Sequence, residues 1–197
     1  MKLVLATSNK GKVREIKEYC ESFEVVPYSE LIEEFEIVED GETFKHNAMI
    51  KARAVYEAIG RDDVIVLADD SGISVDCLDG APGIYSARYA GENANDKDNL
   101  YKLVDEVKKR GLEESPAHYT AAMAIVSKYG VQTVHGWMYG KVITTPRGEN
   151  GFGYDPVFIP EGFEKTLGEL GSDVKKNLSH RSKALQLAKV VIQAIRP

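Results

Sequence analysis

Cysteine is scarce in this chain. Cys20 and Cys77 are the only two among 197 residues, and no CxxC spacing joins them. They read as free thiols in a reducing compartment, in preference to a disulfide or a metal site. A basic excess is also missing: 25 Lys and Arg stand against 31 Asp and Glu, for a formal net charge of -6. Proteins that grip long DNA or RNA usually carry the opposite balance, so no nucleic-acid polymer is expected as a partner. A small anionic ligand remains open, because a few clustered Lys and Arg can serve it locally. No apolar run approaches the roughly 20 residues that cross a bilayer, so no membrane partner is expected either. The opening MKLVLATSNKGK has only a four-residue apolar stretch. That is too short for the core of a secretory leader, and the expectation is a cytoplasmic protein. Internal repeats, low-complexity tracts and an obvious linker are all missing.

What is present is a globular composition, with 43% hydrophobic residues. Residues 2–6 read as a buried strand, followed by a helix from Lys12 and a strand over 24–28. Residues 33–41 are acidic and irregular. The clearest helix is 43–59, with Phe44, Ala48, Ala52, Val55, Tyr56 and Ile59 on one face and Gly60 as its stop. A strand over 64–68 ends at Asp69-Asp70. After a loop over 80–91, residues 95–110 form an amphipathic helix with Leu100, Leu103, Val104 and Val107 inward. The period then changes: 118–127 and 131–143 read as strands joined at KYG in a hairpin. A Gly-rich loop over 146–160 surrounds the short strand PVFI. Residues 179–195 close the chain as a helix with Ala184, Leu187, Ala188, Val191 and Ile195 inward. This order predicts an α/β fold, an elongated mixed sheet. The long hairpin is expected to form a second lobe, with a central cleft between the lobes of a single domain.

Four stretches could carry chemistry. In ATSNKGKVRE a strand gives way to a polar loop and then a helix. Free N–H groups, the positive helix end, Lys10 and Lys12 would gather there, as a phosphate needs. The residues alone leave an ordinary strand–helix turn equally open. The P-loop pattern GxxxxGK[ST] does not fit, since Val13 stands in the hydroxyl position. In LADDSGISVD two like charges are adjacent, which costs energy unless a cation or a proton resolves it. Strand neighbours point to opposite faces, so the two aspartates are not expected to share a site. One would hold structure while the other meets a ligand at the strand end. VEDGET offers Glu39, Asp40 and Glu42 as further carboxylates. ENGFGYDPVFIP sets aromatics among glycines, suited to stacking on a flat base. In SHRSKA, Ser179 reads as an N-cap, with His180 and Arg181 as donors from the first turn. Together these parts describe a nucleotide-handling, Mg²⁺-dependent enzyme.

The stretches TSNKGKVRE, LADDSGISVDCLDGAPGIYSARYAG, GFGYDPVFIP and SHRSKAL resemble, in order and spacing, the motifs of the inosine/xanthosine triphosphate pyrophosphatase family. The resemblance runs from Lys2 nearly to the C-terminus. It implies the two-lobed fold, a homodimer and Mg²⁺. It also implies hydrolysis of dITP, ITP, dXTP or XTP to the monophosphate and pyrophosphate, which cleanses the nucleotide pool. Thr7, Ser8, Asn9, Lys10, Gly11 and Lys12 would then hold the triphosphate. Asp70 would be the general base and a metal ligand, with Glu39 as the second acid and Ser71 touching substrate. Phe152, Gly153, Tyr154 and Asp155 would enclose base and sugar, joined by Lys175, His180 and Arg181. The sequence departs at His46, where family members commonly have Glu.

Two other readings are weighed. One is a Maf-like pyrophosphatase of the same fold acting on modified pyrimidines, against which GFGYDP and SHR speak. The other is a non-catalytic purine-nucleotide sensor, which would have no use for Asp70 and Glu39 as metal carboxylates.

Overall fold

Three parallel strands start the sheet: β1 (Lys2–Leu5) lies between β2 (Val25–Pro27) and β3 (Val64–Val75). Next come β4 (Glu114–Ser127), β5 (Gly130–Ile143) and β6 (Phe158–Pro160), in the spatial order β2-β1-β3-β4-β5-β6. β5 and β6 are antiparallel, so the sheet is mixed, as expected. β4 and β5 are neighbours separated by two residues, a connection only an antiparallel hairpin allows. This computed structural model describes residues 2–7, 9–20, 23–171, 174 and 177–195.

The chain divides into two compact units. The first comprises 1–70, 121–136 and 183–197; the second comprises 71–120 and 137–182. In the first unit, strand alternation sorts the core. Leu3, Leu5, Ile65, Leu67, Ala121, Met123 and Ile125 face one way, against Ile16 of α1 (Lys10–Tyr19) and Ala184, Leu185, Ala188 and Ile192 of α4 (His180–Ile195). Val4, Val64, Val66, Ala68, Ala124 and Val126 face the other way, against Ala48, Ala52 and Val55 of α2 (Phe44–Ile59). The strands are therefore apolar on both faces, which is why 64–68 reads as a continuous hydrophobic run. α2 begins at Thr43, whose Oγ1 accepts the His46 N–H, and ends at Gly60 in the left-handed conformation.

In the second unit, α3 (Asp96–Lys109) packs Leu100, Leu103, Val104 and Val107 on Ile73, Val75, Tyr119, Met138 and Phe158. Asn95 caps α3 in a full capping box with Asp98.

Three expectations are corrected. β3 does not stop at the aspartates but runs on to Val75. Its apolar alternation resumes at Ile73, and the two charges are met by lysines, as described below. The β4–β5 hairpin is not a lobe of its own. Its strands, at 14 residues each, extend roughly 45 Å; residues 121–136 belong to the first unit and the flanking parts to the second. Finally, Leu187 of α4 is 50% exposed, and the inward stripe is Ala184, Leu185, Ala188 and Ile192. Apolar residues surround most of this helix, so composition does not select the buried face.

Candidate active site

Strand alternation places the central pair. Asp69 has the parity of Ile65 and Leu67, the face that α1 covers, and Asp70 has the parity of Val66 and Ala68, the face that α2 covers. The ion pairs follow suit. Lys12 of α1 lies 3.0 Å from Asp69, whose side chain is 1% exposed. Lys51 of α2 lies 3.6 Å from Asp70. Two adjacent like charges are thus separated onto two faces, each with its own ammonium.

Lys51 also reaches Glu39, at 2.7 Å. Two carboxylates therefore converge on one cation. Burial pushes the Asp70 carboxyl above the usual carboxylate range; Lys51 pulls it down, and Glu39 pushes it up again. Asn47, buried on α2, accepts the Gly41 N–H on Oδ1 at 2.8 Å. Lys51 and Asn47 were not foreseen. Their signal was an i, i+4 polar pair beside the apolar stripe of α2.

The loop before α1 is shaped by its own side chains. Thr7 Oγ1 accepts the Asn9 N–H, and Asn9 Oδ1 accepts the Lys12 N–H, both at 3.2 Å. Asn9 thereby caps α1 and presents its positive end at the loop. Ser8 lies outside the described residues; of Lys10 only the backbone is described.

Lys12 already serves a buried carboxylate, so Lys12→Ala should lower stability as well as weaken ligand binding. Losing one partner of a buried pair costs about 3–5 kcal/mol. The expected result is a lowered Tm, largely restored when Asp69→Asn is added. If the double variant melts no higher than Lys12→Ala, the pair is not what holds Lys12 in place.

In the second unit, Ser71, the residue after Asp70, continues the alternation toward the start of α4. Arg181, 7% exposed, donates from Nη2 to Ser71 Oγ at 3.1 Å. Ser179 Oγ accepts the Ser182 N–H at 3.0 Å, the N-cap expected of it. His180 is buried and stacks flat on Tyr119, with centroids 4.8 Å apart, and Phe158 meets Tyr119 edge-on. Burial pushes the Tyr119 phenol well above its usual range, so it stays a neutral wall for the imidazole.

The aromatic loop divides its labour. Phe152 is 64% exposed and Tyr154 is buried. The Tyr154 hydroxyl donates to the Ser86 carbonyl at 2.7 Å. Asp155, also buried, accepts the Phe152 N–H at 2.9 Å. Gly153 sits at φ 58°, a conformation that favours glycine, and its N–H donates to Asp96. Tyr154 and Asp155 therefore shape the loop, and Phe152 is the exposed ring. Lys175 lies outside the described residues.

Among the described residues, no three His, Cys, Asp or Glu side chains are grouped to hold a metal. Glu39 and Asp70 still fit Mg²⁺. That ion prefers hard oxygen, commonly takes one or two carboxylates, and completes its shell with water and substrate phosphates. Among the described residues, no helix is long and apolar enough to cross a membrane.

The sequence profile of the Ham1 family matches residues 3–190. A protein of Sulfurimonas denitrificans called dITP/XTP pyrophosphatase is 65% identical, over 99% of this chain and 100% of its own. One of the same name from Nautilia profundicola is 60% identical, over 99% of both. The structure of the Staphylococcus aureus Ham1 protein aligns over 100% of both chains, with TM-score 0.90 and 34% identity.

Proposed function

The chain belongs to the Ham1 family, and from that premise we propose that it is a nucleoside-triphosphate pyrophosphohydrolase. It splits non-canonical purine nucleotides (dITP, ITP, XTP, dXTP) into the monophosphate and pyrophosphate, a reading supported by relatives named dITP/XTP pyrophosphatase. The observation that carries this reading is the convergence of Glu39 and Asp70 on one ammonium. Two carboxylates that already share a cation suit a metal bound together with a polyphosphate.

Each group then has a task. The loop residues Thr7, Ser8, Asn9, Lys10, Gly11 and Lys12 bind the triphosphate, with the α1 N-terminus adding its positive end. Glu39 and Asp70 hold Mg²⁺, which when bound offsets phosphate charge and polarises the attacked phosphorus. Asp70 takes the proton of the attacking water. Ser71 and Lys175 contact substrate. Phe152, on the loop built by Gly153, Tyr154 and Asp155, stacks on the base, while His180 and Arg181 donate to its edge. The protein acts as a homodimer in the cytoplasm, a reducing compartment consistent with its two free cysteines.

The test is release of pyrophosphate from dITP, XTP and ATP with Mg²⁺ and then with EDTA. The reading expects release from dITP and XTP well ahead of ATP, abolished by EDTA and restored by added Mg²⁺. Turnover that survives thorough chelation would remove the metal role, and equal rates for all three nucleotides would remove the substrate class.

A further inference from the structure

We infer that Tyr119 is a specificity-determining positioning residue for this reaction: its ring fixes the plane of the His180 imidazole and so aims the His180 donor at the base edge. The inference rests on the pyrophosphohydrolase reading above, in which His180 and Arg181 meet the base.

Tyr119 comes from β4 and is 8% exposed; His180 opens α4 and is 9% exposed. Their ring centroids lie 4.8 Å apart, and the rings are 10° from parallel. Phe158 of β6 meets Tyr119 at the same separation but at 65°. The edge-on contact holds the tyrosine ring, and the flat contact passes that plane to the imidazole. The N–H bonds of an imidazole lie in its ring plane. Two constraints therefore set the direction in which His180 donates. One is the backbone at the start of α4, held by Ser179 Oγ on the Ser182 N–H. The other is the plane of the Tyr119 ring.

Arg181 has a different support, since its Nη2 donates to Ser71 Oγ at 3.1 Å. The two donors thus lean on separate strands, Arg181 on β3 and His180 on β4. Loss of the Tyr119 ring should disturb one and spare the other. A core that needed only volume at position 119 would be served by any large apolar side chain. A flat face matters only where the plane of the neighbour matters. The contact uses the ring of Tyr119 and not its hydroxyl.

The experiment compares Tyr119→Phe, Tyr119→Met, Tyr119→Leu, His180→Ala and the Tyr119→Met/His180→Ala double variant. It reads kcat/KM for ITP and for ATP with Mg²⁺, the Tm, and the ¹H NMR signals of the His180 ring. The chain has four histidines, and the signals missing from His180→Ala identify those of His180. In the wild type they should lie upfield, shifted by the ring current of Tyr119. His180→Ala should lower the ITP/ATP ratio about 5-fold or more, the effect of one buried donor. Tyr119→Met and Tyr119→Leu fill space without a flat face. They should lower the ratio about 5–10-fold, chiefly through ITP, and move the His180 signals downfield. Tyr119→Phe restores the face and should restore both the ratio and the upfield shift. In the His180→Ala background, Tyr119→Met should leave the ratio where it was, because the ring acts through the imidazole.

An undiminished ratio in Tyr119→Met and Tyr119→Leu would overturn the inference. So would an equal fall in the ratio in both backgrounds, which would make Tyr119 structural only. A loss in Tyr119→Phe as large as in Tyr119→Met would overturn it too, by assigning the effect to the hydroxyl. If neither apolar variant folds, the wild-type spectrum decides: His180 signals at ordinary positions overturn the inference, and upfield signals support it. An unchanged ratio in His180→Ala would overturn base reading by His180, and the inference with it. A lowered ratio there, beside full selectivity in the Tyr119 variants, would overturn the inference alone.

Discussion

Asp70→Asn is expected to lower kcat by about 10²–10⁴-fold, the range typical of a lost general base, while dITP still binds. Asparagine keeps the shape of the side chain and loses its charge and basicity. The substitution should leave Tm unchanged or raise it. Burial already disfavours the ionised form of Asp70, and Lys51 keeps its closer partner Glu39. The neighbouring Asp69→Asn should behave in the opposite way. Asp69 is buried against the Lys12 ammonium, so its loss should lower Tm while sparing more of kcat. Near wild-type hydrolysis by Asp70→Asn would sink the assignment. Equal loss of kcat from both substitutions would show that the two faces of β3 do not divide the work as described.

Arg181→Ala should remove most dITP and ITP hydrolysis and much of the preference over ATP. Hypoxanthine and xanthine carry an acceptor at C6, and adenine carries an amino donor there. Arg181 has only donors to give, and His180 can add one. A buried donor facing the adenine amino group would be left unpaired, at about 1–3 kcal/mol each, and more for a charged one. Two such failures give roughly 10²-fold discrimination or better. Both side chains are buried, Arg181 against Ser71 and His180 against the Tyr119 ring, so their donors are held in place. Arg181→Lys keeps the charge and loses the planar fork, and it should recover binding better than selectivity. The measurement is kcat/KM for ITP and ATP in each variant. An unchanged ratio, with both activities falling together, would place base reading elsewhere.

Much of this site was legible because it depends on short-range rules. Period-two alternation alone separated Asp69 from Asp70, and the lysines found on opposite faces agree with it. Ser179 was readable as a cap, and its Oγ does accept the Ser182 N–H. The continuation of β3 through DDSG was not legible. Local propensity argues for a turn there, and only the two ion pairs and the resumed apolar face overrule it. Asn47 and Lys51 were missed for a related reason. Periodicity counts apolar residues, so a polar pair that faces inward among Ala48, Ala52 and Val55 is invisible to it. The buried face of α4 was misread because both Leu185 and Leu187 satisfy a helical stripe, and only packing chooses between them. The roles of Tyr154 and Asp155 also needed tertiary contacts. Their partners are the Ser86 carbonyl, distant in sequence, and a backbone N–H within their own loop.

The most direct measurement is identification of the phosphorus products by ³¹P NMR as dITP is consumed with Mg²⁺. Cleavage between the α and β phosphates predicts the nucleoside monophosphate and pyrophosphate in equal amounts from the first turnover, with no diphosphate intermediate and no product in EDTA. Deoxyinosine diphosphate and orthophosphate as the initial products would contradict it.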